Sequence, residues 1–200
     1  MEGTVTGIYR YPVKGLSADP LDRVTLAPGE TLPFDRAWAI ENGPSRFDPE
    51  NPAHLPKVAF LMLMRDERLA TLEARFDETT SRLALLRGGR QVVSGDLTTR
   101  SGRQVIEQFM AAYMAQSLRG PPRILSAEGH SFSDVAAKRV HLVNLASVRE
   151  LERVTGRPVD PLRFRPNVIF DSETPWQEEA WVGREIAAGP VRLRVAKRTT

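Results

Sequence analysis

Arg163-Phe164-Arg165-Pro166-Asn167-Val168-Ile169-Phe170 is the stretch on which the reading of the fold turns. Its second half, Asn167 to Phe170, reads as a β-strand, because β-branched and aromatic side chains suit a half-buried pleat. Pro166 disfavours the helical region for the residue before it, so Arg165 is expected to be extended. Arg163 and Arg165 are two residues apart, and an extended chain would place both guanidiniums on one face. Upstream, Val140 to Val143 reads as another strand. Asn144 then suits the cap of a helix with Leu145, Val148 and Leu151 on one side, and Gly156 suits the left-handed position past its end. Downstream, Val191-Arg192-Leu193-Arg194-Val195 alternates strictly, with both arginines on one solvated face. The outcome is a mixed α/β, β-rich fold.

The N-terminal half is read in the same way. Strands are predicted at Val5 to Tyr11, Arg23 to Leu26, Ala37 to Ile40, Leu69 to Phe76, Arg82 to Leu86 and Gln91 to Val93, with turns at Pro28-Gly29 and Gly88-Gly89. Asn42 to Pro56 is a proline-rich loop. Ser101-Gly102-Arg103-Gln104 fits a helix-starting box, and Ile106, Phe109, Met110, Tyr113 and Met114 follow helical spacing to about Leu118. Gly120-Pro121-Pro122 breaks that helix and marks a candidate domain boundary, followed by a short strand at Arg123 to Leu125.

Composition narrows the function classes. With 28 bases against 25 acids the formal charge is +3, too balanced for a non-specific nucleic-acid binder. No apolar run is long enough to span a bilayer, and Met1-Glu2-Gly3-Thr4 lacks the basic start and apolar core of a secretory signal. A cytoplasmic protein with no membrane association is expected. There is no cysteine, so neither disulfides nor thiolate chemistry arise within these residues. His54, His130 and His141 show no metal-binding spacing, and no metal ligand set is expected in this chain. His130-Ser131 with Asp134 reads as a loop close to the site.

Four polar signatures remain. Tyr11-Pro12-Val13-Lys14-Gly15 places a lysine just past a strand end. Asp35-Arg36-Ala37-Trp38 carries a planar guanidinium suited to clamping an anion; its ordinary reading is a surface ion pair with Asp35. Asn144 and Ser147 open a helix, whose free amides favour anions. The fourth is Arg165-Pro166-Asn167. Together, and in this order, the stretches resemble the MOSC family with its N-terminal β-barrel domain, as does Ala180-Trp181-Val182-Gly183-Arg184-Glu185-Ile186 before the last strand.

The resemblance implies an N-terminal β-barrel domain over 1-118 and a MOSC β-barrel over 123-200, truncated before the family's cysteine, which is expected just past Thr200. It implies a site for the molybdenum cofactor, of the molybdopterin type, at Lys14, Gly15, Arg36, Asn144, Ser147, Arg165 and Asn167. Family members often have serine where Gly15 stands, so only a backbone contact is expected there. Arg46 and Lys57 are weaker candidates on the substrate side. The full-length protein is expected to be an oxidoreductase reducing N-hydroxylated compounds, taking electrons from a flavin or iron–sulfur partner. The chain as given is expected to be inactive. The alternative is a non-redox sulfur or cofactor carrier, since other MOSC proteins are linked to sulfur transfer, some with a pyridoxal-phosphate domain. A non-catalytic β-barrel for nucleic acid ranks last, because Arg192-Leu193-Arg194-Val195 has no aromatics among its bases.

Overall fold

The structure is a computed structural model and describes residues 2–199. In chain order the elements are β1 (Thr4–Arg10), β2 (Asp19–Leu21), β3 (Ala39–Ile40), β4 (Glu73–Asp77), β5 (Arg82–Arg87), β6 (Arg90–Asp96), α1 (Arg100–Tyr113), β7 (Ile124–Leu125), β8 (Leu142–Asn144), α2 (Leu145–Thr155), β9 (Val168–Asp171), β10 (Glu185–Ala188) and β11 (Val191–Arg194). The mixed α/β, strand-rich class is as expected. The barrels are not seen: among the described residues, the strands pair into open sheets. Arg23 to Leu26 forms no strand: Arg23 and Thr25 are exposed and Val24 and Leu26 half-buried, but the alternation finds no partner strand.

The chain folds into two compact units that interleave in sequence. Unit 1 gathers Met1–Tyr9, Pro20–Leu32 and Arg139–Thr200; unit 2 gathers Arg10–Asp19 and Pro33–Lys138. Gly120-Pro121-Pro122 lies inside unit 2.

Unit 2 is built on the antiparallel meander β4-β5-β6. The period-two pattern of β4 sends Ala74 and Phe76 inward and leaves Glu73, Arg75 and Asp77 exposed. α1 covers this sheet with Ile106 and Met110, joined by its C-cap residue Met114, all fully buried. Each such side chain contributes about 1.5–3 kcal/mol of burial. Helix and sheet approach closely because two glycines face each other. A Cβ on Gly95 would lie 2.2 Å from the Gly102 carbonyl oxygen, and one on Gly102 would lie 2.2 Å from that of Asp96. Thr99, not Ser101, caps α1, its hydroxyl accepting from the Gly102 amide at 3.1 Å. The helix ends at Tyr113, short of Leu118, and continues as turns.

Unit 1 holds the sheet ordered β2-β1-β9-β8. β1 and β9 are antiparallel, and β8 and β9 are parallel, joined through α2. Asn144 caps α2 by accepting from the Ala146 amide, and Gly156 closes it at φ +65°. β10 and β11 form a separate hairpin in which Arg192 and Arg194 are exposed.

The segment before β9 is not extended. Asp160 accepts from the Leu162 amide and Pro161 pre-sets the backbone, so Pro161–Phe164 winds into a 3₁₀ turn. Arg165 is its left-handed cap at φ +53° and ψ +49°. Arg163 and Arg165 therefore do not share the face of a strand. The capping aspartate and Pro161 outweigh the extended preference that Pro166 imposes.

Candidate functional site

The residues singled out in the sequence fall into one cluster in each unit. In unit 2 the strand end at Tyr11-Pro12-Val13 is buried and bridges to Trp38. Lys14 follows and is itself buried. Its Nζ donates to the Phe132 carbonyl at 2.8 Å and to the Asp134 carboxylate. Beneath it lies an aromatic floor of Phe60 and Phe132, with Phe47 against Phe132. Asp134 is 69% exposed at its side chain, whereas Lys14 is 8% exposed. The lysine is fixed by its surroundings, and the carboxylate that answers it stands at the surface. Partial burial of Asp134 works against its charge. The Lys14 hydrogen bond and the positive charges of Lys14, Arg36 and Lys57 outweigh this and hold its pKa below the ordinary carboxylate value.

Arg36 belongs to the same neighbourhood. It lies in the left-handed region at φ +55°, pairs with Asp35 and stacks over Tyr11 with 4.8 Å to the ring centroid. The pair is not a surface one: the Asp35 side chain is 1% exposed and accepts from the Tyr11 amide at 2.8 Å. The Arg36 carbonyl accepts from the Phe132 amide at 2.8 Å, which ties the arginine to the strip that carries Asp134. Gly15 has φ +85°, and a Cβ there would meet the Leu61 carbonyl at 2.7 Å. Its place is dictated by backbone approach. Lys57 is exposed and contributes to the field at Asp134; Arg46 is exposed at φ +60° in the 42–56 loop. Beside them, His130 packs against Phe47 and Phe132 at a cavity of about 280 Å³ that Ser131, Ser133 and Lys138 also line. Burial, then the charges of His54 and Lys138, lower the His130 pKa below its ordinary 6.5.

In unit 1 the N-terminus of α2 already holds an anion. Asn144 Nδ2 donates to one oxygen of the Glu178 carboxylate at 2.8 Å, and Ser147 Oγ donates to the other at 2.7 Å. Asn144 is 1% exposed and fully engaged: its Oδ1 accepts from Ala146 and Ser172, and its Nδ2 also reaches the Thr174 carbonyl. Ser147 Oγ accepts from the Trp176 amide. Asn167 spends its amide on backbone, accepting from His141 N and donating to Tyr9 O, each at 3.1 Å. It locks the start of β9 to β1 and to the approach of β8. Arg165 stands beside it with Nη2 buried.

Sequence reasoning missed Glu178, which comes from a 3₁₀ turn (Gln177–Trp181) far along the chain. It also missed buried Arg10, which pairs with Asp19 and Glu78 and lies over Phe34 and Phe76. The apolar setting of Arg10 gives no local signal. Among the described residues, three of the six non-glycine residues at positive φ are candidate arginines: Arg36, Arg46 and Arg165. Such backbone costs about 1–3 kcal/mol each and gathers at functional positions. Among the described residues, no group of three or more His, Asp or Glu side chains could hold a metal ion, and no helix is long and apolar enough to cross a membrane.

Each unit thus presents oxyanion-accepting groups of its own: Lys14 and Arg36 in unit 2, and the start of α2 in unit 1. The model of the MOSC domain family matches residues 127–200. A search of the curated proteins found no match.

Proposed function

We propose that the chain is the cofactor-holding part of a molybdenum-cofactor-dependent oxidoreductase acting on N-hydroxylated compounds. The observation that carries this reading is the two-pronged grip of Asn144 and Ser147 on a carboxylate at the start of α2, inside the MOSC match. Two donors held against both oxygens of one anion, at the positive end of a helix, would accept a phosphate or pterin oxygen equally well. The donor set therefore fits the anionic part of the cofactor. When bound, that group would supply two-electron transfer at molybdenum, with a flavin or iron–sulfur protein as electron donor.

In this reading Ser147 and Asn144 exchange Glu178 for the ligand's oxygens. Arg165, with its backbone strained, supplies a guanidinium of fixed direction. Within unit 2, Lys14 and Arg36 form a cationic group of their own, and exposed Asp134 moves aside to release Lys14. Arg46 and Lys57 stand towards the substrate. One observation favours a second reading, a non-redox carrier: the 200 residues contain no cysteine, so they supply no thiolate to a metal.

The test is purification of the full-length protein from a host that makes the molybdenum cofactor, followed by assay of bound pterin, of molybdenum and of hydroxylamine reduction with a viologen donor. The oxidoreductase reading expects all three. Pterin without reduction selects the carrier. Protein free of pterin overturns both.

A further inference from the structure

The opposite end of α2 opens onto a groove. The groove, of about 500 Å³, is lined by Thr155, Arg157, Pro158, Val159 and Arg163. No acidic side chain lines it. Among the described residues neither the Arg157 nor the Arg163 side chain makes a hydrogen bond or ion pair, and both residues are exposed. Every acid close by in sequence is engaged. Glu152 accepts from the Val159 amide at 2.8 Å, Asp160 accepts from the Leu162 amide at 2.8 Å, and Glu150 pairs with Arg153.

The loop that carries the two arginines is held at several points. Gly156 turns the chain left-handed out of the helix, Glu152 pins Val159, and the Asp160 cap with Pro161 sets the 3₁₀ turn that presents Arg163. Arg157 alone could be explained as a base near a helix C-terminus, where the dipole favours it. Arg163 comes from the 3₁₀ turn and has no such reason to face the same groove. Two like charges sharing a concave wall repel each other, and a doubly charged anion between them removes the cost while allowing bidentate contacts.

We infer that this groove binds a phosphorylated small molecule, its phosphoryl oxygens between Arg157 and Arg163 and its body against Pro158 and Val159. The volume falls within the range of small-ligand pockets, roughly 300–1,000 Å³. The site uses neither Asn144 nor Ser147, so it is independent of the function proposed above.

The experiment is calorimetric titration of the 200-residue chain with inorganic pyrophosphate at low salt. One saturable site is expected. Arg157→Gln and Arg163→Gln should each weaken it about tenfold or more, the effect of losing a charge-assisted contact. Arg192→Gln, an exposed arginine of β11, should leave it unchanged. The exposed positions of Arg157 and Arg163 keep both variants folded, and unchanged melting curves check this. Absence of saturable binding overturns the inference, as does equal affinity in the Arg157→Gln/Arg163→Gln double variant. Loss in Ser147→Ala alone would place the anion at the start of α2 instead.

Discussion

Gly15 shows how one residue can separate a family likeness from the chain's own physics. Serine often follows the lysine in the family the chain resembles, but here φ +85° and the Leu61 carbonyl 2.7 Å from a built Cβ leave no room for a side chain, so only the expected backbone contact is open to Gly15. Gly15→Ser should destabilise the protein by about 2–3 kcal/mol or more, read from urea unfolding; an unchanged midpoint would contradict the geometry. Lys14 itself is more constrained than its sequence suggests. Asp134→Asn removes its charged partner and should cost about 1–3 kcal/mol, less than a fully buried pair would, because the carboxylate is solvent-facing. A pH dependence follows from two lowered pKa values. His130, favoured neutral in the fold, binds a proton less readily than in the unfolded chain, so its contribution is full above 6.5 and lost as pH falls through its lowered value. Asp134 acts in the same sense but only below 3.8. Melting temperature should therefore fall as pH drops below about 6.5, and His130→Gln should flatten that fall.

Among the elements, α1 offers a check on where helices start. Thr99→Ala should cost about 1 kcal/mol, whereas Ser101→Ala should be close to neutral. The opposite ranking in chemical denaturation would restore Ser101 as the cap. Local signals served well where a single side chain decides the outcome: Asn144 caps α2, Gly156 ends it, and Gly88-Gly89 turns β5 into β6 with both residues at positive φ. They failed where a competing local bond wins. The bond from Asp160 to the Leu162 amide coils a stretch that Pro166 alone would have extended, and Arg23 to Leu26 has the alternation of a strand but no neighbour to pair with. Glu178 was illegible for a different reason. Nothing in its own sequence context says that its carboxylate returns to Asn144 and Ser147.

Across the whole molecule, the alternation and helical spacing of its segments correctly gave a strand-rich mixed α/β fold. They could not give the interleaving of the units, because β1 takes its partner from β9, more than one hundred and fifty residues on. The near balance of 28 bases and 25 acids conceals how the charge is spent: Lys14, Arg36 and Arg10 are all answered by carboxylates, while Arg157 and Arg163 share a groove that none lines. The proposed function requires that the start of α2 can trade its internal carboxylate for a ligand's oxyanion. The deciding measurement is the pterin content of protein purified from a cofactor-producing host, compared among wild type, Ser147→Ala and Arg192→Ala. Pterin bound to wild type and to Arg192→Ala but severalfold reduced in Ser147→Ala is the predicted result. Equal pterin in all three, or none in any, would contradict it.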